Sequence, residues 1–68
     1  MRRNGIYAVI QADGQRRVDV VRWNGFHYRT TSLGPYPTEQ AAECSYATAR
    51  ALLPFLPTRP DWEEEKSC

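Results

Sequence analysis

Two dipeptides, Asp13-Gly14 and Asn24-Gly25, constrain this chain more than any other feature in it. Each follows a run of β-forming residues: GIYAVIQA (5–12) precedes the first, RRVDVVRW (16–23) precedes the second, and FHYRTTS (26–32) comes after. A tight hairpin turn needs residues that accept positive φ, and Asp-Gly and Asn-Gly supply them at least cost. The spacing predicts three antiparallel strands in meander order. With two-residue loops the pairing follows by counting. Ala12 faces Gln15, so Val9 faces Val18 and Tyr7 faces Val20. Trp23 faces Phe26, so Val21 faces Tyr28 and Arg22 faces His27.

Side chains alternate across a strand, so this register sorts residues into two faces. Ile6, Ala8, Ile10, Val21, Trp23, Phe26 and Tyr28 share one face, which reads as the core, with Arg17 and Asp19 interrupting it at one end. Tyr7, Val9, Gln11, Arg16, Val18, Val20, Arg22, His27, Arg29 and Thr31 share the other.

The next stretch, LGPYPTEQAAECSYATARALL (33–53), changes period. Gly34, Pro35 and Pro37 predict a turn. Thr38 is an N-cap residue, and Glu39 places a negative charge where the helix dipole favours it. Ala42, Tyr46, Ala49 and Leu53 recur at helical spacing and complete the predicted core; small residues in that stripe let a helix sit close to a sheet. Pro54 ends the helix. The expected fold is α+β: a three-stranded antiparallel meander packed on one C-terminal helix, spanning residues 1–53, with residues 54–68 as an extended proline-rich, acidic tail. In that tail Pro54, Pro57 and Pro60 suit a polyproline-like path, Asp61 is placed to cap a short turn with Glu64, and Phe55, Leu56 and Trp62 are expected to return to the core edge.

With 68 residues, 41% hydrophobic and 25% charged, the chain is one small globular domain with no room for a deep solvent-excluded active site. No carboxylate pair, nucleophile–base set or phosphate-cradling glycine loop is present, so the expected activity is non-enzymatic, with no cofactor and no small-molecule substrate. Cys44 and Cys68 form no C-x-x-C, and His27 stands apart from them, so no metal site is expected. No run approaches the ~20 apolar residues of a membrane span, and no signal-peptide core follows Arg2 and Arg3. The expected setting is cytoplasmic, and the short chain starting at Met1 reads as a complete small product of the phage or mobile-element kind.

Charge is uneven. Residues 1–33 hold six arginines against two aspartates, or +4, while residues 34–68 hold three basic against six acidic side chains, or −3. Arginine suits bidentate contacts to phosphates and base edges. The face left open by the helix therefore reads as a DNA-binding surface made by Arg16, Arg22 and Arg29, with Gln11, His27 and Tyr7 beside them and Arg2 and Arg3 as an arm onto phosphates.

The run Leu33-Gly34-x-Tyr36-x-Thr38, followed by Ala42, Tyr46 and Ala49, resembles the plant ethylene-response-factor DNA-binding domain and its phage relative, the N-terminal arm-binding domain of tyrosine integrases. The resemblance covers residues 33–49 without a gap. It implies a three-stranded sheet that reads the major groove with one helix packed behind, and of the family's DNA-reading positions it maps onto Arg22. A second reading comes from the residues alone. Val9, Val18 and Val20 form an apolar centre rimmed by arginines, Arg22 among them, which is the anatomy of a protein interface. On that reading the partner is a host protein, bound by an inhibitor such as an anti-CRISPR or by an adaptor, or a second copy of the chain.

Overall fold

The computed structural model describes residues 3–58 and 62–64. Within them the chain runs β1 (Gly5–Ile10), β2 (Arg16–Trp23), β3 (Tyr28–Tyr36), α1 (Glu39–Leu52) and β4 (Glu63–Glu64). It is a small α+β domain in which a four-stranded sheet of order β3-β2-β1-β4 carries one helix. The expected meander supplies three of the strands. The additional one, β4, pairs parallel with β1 through Val9↔Glu63 and Ile10↔Glu64.

The first hairpin corrects the expected register. Gln11 N donates to Gln15 O at 2.7 Å, and Gly14 N donates to Gln11 O at 2.9 Å. The loop is therefore the three residues Ala12, Asp13 and Gly14. Gly14, at φ +88°, takes the left-handed position such a loop requires, and Asp13 Oδ1 accepts from Gln15 N at 3.0 Å. The ladder becomes Ile6↔Val20, Tyr7↔Asp19, Ala8↔Val18 and Val9↔Arg17. This is one residue away from the expected Val9–Val18 and Tyr7–Val20 pairs, and a one-residue slip turns one strand over relative to the other. Val18 and Val20 lie under the helix with Ile6 and Ala8, in one cluster with Ala49 and Leu56. Trp23 and Phe26, expected in the core, are 51% and 87% exposed.

The second hairpin shifts by two residues, which leaves face membership intact. The chain turns at Gly25 and Phe26: Asn24 N donates to His27 O at 3.1 Å, and Asn24 Oδ1 accepts from Phe26 N at 2.9 Å and His27 N at 3.0 Å. Trp23 therefore pairs with Tyr28, and Arg22 with Arg29. Phe26 stands at the tip of the turn, which is why it cannot enter the core.

The predicted turn at Gly34-Pro35 is instead the last part of β3. Val18 faces Leu33 but Arg16 faces Tyr36, so one extra residue on β3 is absorbed as a bulge. Gly34 has φ +115°, and a Cβ there would meet the Tyr36 ring at 3.0 Å, so glycine is required. Pro35 is tolerated because β3 is an outer strand.

The helix matches its sequence pattern. Thr38 Oγ1 accepts from Ala41 N at 3.2 Å, Ala42 and Ala49 are buried, and Tyr46 and Leu53 pack beside them. Tyr36 Oη donates to Ser45 Oγ at 2.7 Å and ties β3 to α1. After the helix, Leu56 is buried and the Pro57 carbonyl accepts from Ile6 N at 2.9 Å. Trp62 lies against Tyr46, ring centroids 6.4 Å apart, while Phe55 stays largely exposed. Burying Ile6 fully contributes about 1.5–3 kcal/mol, and Val18 is equally inaccessible at 0% exposure. The expected cap at Asp61 and the arm residue Arg2 lie outside the described residues.

The sheet face away from the helix is not bare. Val9 and Val21 are each 1% exposed on it, and Asp19 is 2% exposed. Asp19 Oδ1 accepts from Arg17 Nε at 3.0 Å and from Ser32 Oγ at 2.8 Å, so this buried carboxylate is paired and hydrogen-bonded.

Candidate functional site

The register change redistributes the arginine-rich surface that the sequence suggested. Arg16 sits on the helix face near the first hairpin, with its side chain three-quarters covered. Its Nη1 lies 3.4 Å from Glu39 Oε2, and its guanidinium stands 5.2 Å from the centre of the Trp62 ring. It braces the helix start and the tail against the sheet. Tyr7 is on the opposite face, its hydroxyl donating to the Arg3 carbonyl at 2.8 Å. Gln11 closes the first hairpin and His27 the second, at opposite ends of β2. The proposed apolar patch is likewise divided: Val18 and Val20 are under the helix, and Val9 is on the other side of the sheet.

What the fold does bring together is Arg22 and Arg29. They are direct cross-strand partners on the helix face, beyond the part of the sheet that α1 covers. Neither has an ion pair among the described residues; the Arg22 guanidinium instead lies 5.4 Å from the centre of the Phe55 ring. Opposed like charges on neighbouring strands destabilise a sheet, and two guanidiniums present ten N–H donors to whatever anion relieves them.

Aromatic groups lie around this end of the sheet: Phe26 on the turn, Phe55 on the helix face, and Trp23 and Tyr28 on the opposite face, because side chains alternate along a strand. Trp23 and Tyr28 meet edge to face, centroids 4.9 Å apart and planes at 62°. Phe26 projects from the turn, and Leu52 and Phe55 are exposed where the helix ends. Arg22, Trp23, Asn24, Arg29 and Thr31 line an open cleft of ≈ 320 Å³. Asn24 uses its carboxamide oxygen on the turn and its Nδ2 lies 3.4 Å from His27 Nε2, so the donors the cleft residues offer are chiefly the two guanidiniums, the Thr31 hydroxyl and the Trp23 indole N–H. The arrangement can hold an anion beside an apolar or planar group. It contains no nucleophile–base pair, and the described residues contain no group of three or more His, Cys, Asp or Glu side chains able to hold a metal.

Sequence reasoning found Arg22 and Arg29 but paired Arg22 with His27, and it assigned Trp23 and Phe26 to the core. The signal for the observed pairing was Gly25 itself. Glycine at the first of two turn residues makes Asn24 and His27 the closing pair, and counting back from them sets Arg22 opposite Arg29.

Comparison with known proteins identified no family: no family model, no curated protein and no solved structure matches this chain. No helix among the described residues is long and apolar enough to cross a membrane.

Proposed function

We propose that this protein is a non-enzymatic nucleic-acid-binding protein that contacts its ligand through the Arg22/Arg29 end of the sheet. The observation that carries the reading is the cross-strand arginine pair, which has no counter-ion among the described residues, at an end of the sheet where aromatic rings are exposed. Folding gains nothing from opposing these charges, whereas a phosphate accepts from both. Binding by the open sheet face, the mode that the family resemblance implies, has less support. That face offers Tyr7, Thr30, Ser32 and the Trp23/Tyr28 pair, and its one arginine among the described residues, Arg17, is tied to Asp19. The test is a salt titration of binding to nucleic acid. Log affinity should fall linearly with log salt, and Arg22→Ala/Arg29→Ala should lower the slope by ~0.9 on duplex, the contribution of the one phosphate the pair shares. An unchanged slope in the double variant, or no binding at low salt, would end this reading.

A second reading is favoured by a different observation. Trp23, Phe26, Leu52 and Phe55 are four large apolar side chains left exposed, and tryptophan with arginine is the typical composition of a protein-binding hot spot. On this reading Phe26→Asp abolishes capture of a protein partner or a second copy, and the native protein migrates above its monomer mass or carries a stoichiometric companion.

A further inference from the structure

We infer that the nucleic acid taken at this end is single-stranded, with one phosphodiester bridged by Arg22 and Arg29 on the helix face and neighbouring bases stacked on Phe26 at the turn and on Trp23 round the end of the sheet. The inference rests on the nucleic-acid reading and adds the class of ligand.

Three observations carry it. The first is the aromatic exposure: Trp23 keeps half of its surface open and Phe26 nearly all of it. In a duplex the faces of the bases are occupied by their neighbours, so exposed rings have nothing to stack on; in a single strand every base offers a free face. The second is that Phe26 is held in place. Asn24 Oδ1 accepts from the backbone N–H groups of Phe26 and His27, which fixes the turn that carries the ring. A turn position exposed to this degree accepts almost any polar residue, so phenylalanine there has no use in folding. With the backbone of the turn already braced, only the side-chain torsions of Phe26 are left to be ordered when a base stacks on its ring. The third is charge count. Duplex recognition draws on many phosphate contacts, and this end offers one uncompensated pair of arginines, enough for one phosphodiester beside stacked bases.

The experiment uses the full chain and follows tryptophan emission in a Trp62→Phe background, so that Trp23 is the reporter. The chain is titrated with an oligothymidylate and with a mixed-sequence duplex of the same length, at one fixed low salt concentration. The single strand should quench Trp23 and bind at least about tenfold more tightly than the duplex. Phe26→Ala should weaken single-strand binding by roughly tenfold, in line with the loss of one base–aromatic stack, and Phe26→Tyr should restore it. Duplex binding as tight as single-strand binding, or single-strand binding indifferent to Phe26→Ala, would overturn the inference while leaving the nucleic-acid reading in place. Binding of neither probe overturns both.

Discussion

At the scale of single residues, the buried Asp19 and the exposed Arg22/Arg29 pair are opposite cases of charge placed in a sheet. Asp19 is out of reach of water and accepts hydrogen bonds from Arg17 and Ser32. Arg17→Met takes a hydrogen-bonded guanidinium away from that buried carboxylate. The expected loss is about 3–5 kcal/mol, toward the lower end because the Arg17 side chain keeps 21% of its surface exposed. Arg17→Met/Asp19→Leu should recover most of the loss, since an apolar pair of similar volume needs no partner. Urea unfolding of both variants checks this, and a double variant no more stable than the single one would count against it. Arg29→Glu should act the other way. It converts a repulsive cross-strand pair into an attractive one, worth about 0.2–1 kcal/mol, and so raises the melting temperature by a few degrees. The same change should remove nucleic-acid binding. A residue whose reversal stabilises the fold and destroys the activity is one kept for its ligand.

At the scale of elements, the turns decide what was legible. The helix could be read because its signals are local: Thr38 caps it, Pro54 follows it, and the Ala42/Tyr46/Ala49/Leu53 stripe lies within it. The strands were legible as strands, but their faces were not. An Asp-Gly pair serves a two-residue loop and a three-residue loop equally well, and choosing between them moves Val18 and Val20 together from one side of the sheet to the other. The candidate site inherited that ambiguity, because Trp23 changes from a core residue to an exposed ring on the same count. The bulge at Gly34 was hidden for a related reason: glycine followed by proline signals a turn unless an outer strand can absorb both. The two glycines should respond differently to alanine. At Gly14 a Cβ meets nothing within 4 Å, so Gly14→Ala costs only the left-handed backbone, roughly 1–2 kcal/mol. At Gly34 the same backbone cost is joined by a clash with the Tyr36 ring, so Gly34→Ala should be the more destabilising. Thermal melts of the two variants give the order directly.

At the scale of the whole molecule, the domain is a slab of 33 × 31 × 17 Å, one sheet and one helix thick. So thin a body cannot spare any of its apolar contacts. Leu56 belongs to the buried cluster, and Pro57 bonds to Ile6 although both residues follow the helix. A chain stopped after Leu53 should therefore lose its cooperative melting transition, whereas one stopped after Thr58 should keep a transition at a lower temperature. Circular dichroism on the two truncations distinguishes them, and equal melting curves would refute the role given to Leu56. The same closing segment divides β1 between two neighbours. Successive amides of a strand point to opposite sides. The Ile6 N–H reaches Pro57, and the Gln11 N–H reaches Gln15 across the hairpin. The amides of Ile6, Ala8 and Ile10 thus face the returning chain, and those of Tyr7 and Val9 face β2. In deuterated solvent the first set should exchange whenever the last residues lift away, and the second only when the sheet itself opens. Five consecutive residues would then report two separate opening free energies, and the difference between them is the stability contributed by the segment beyond the helix.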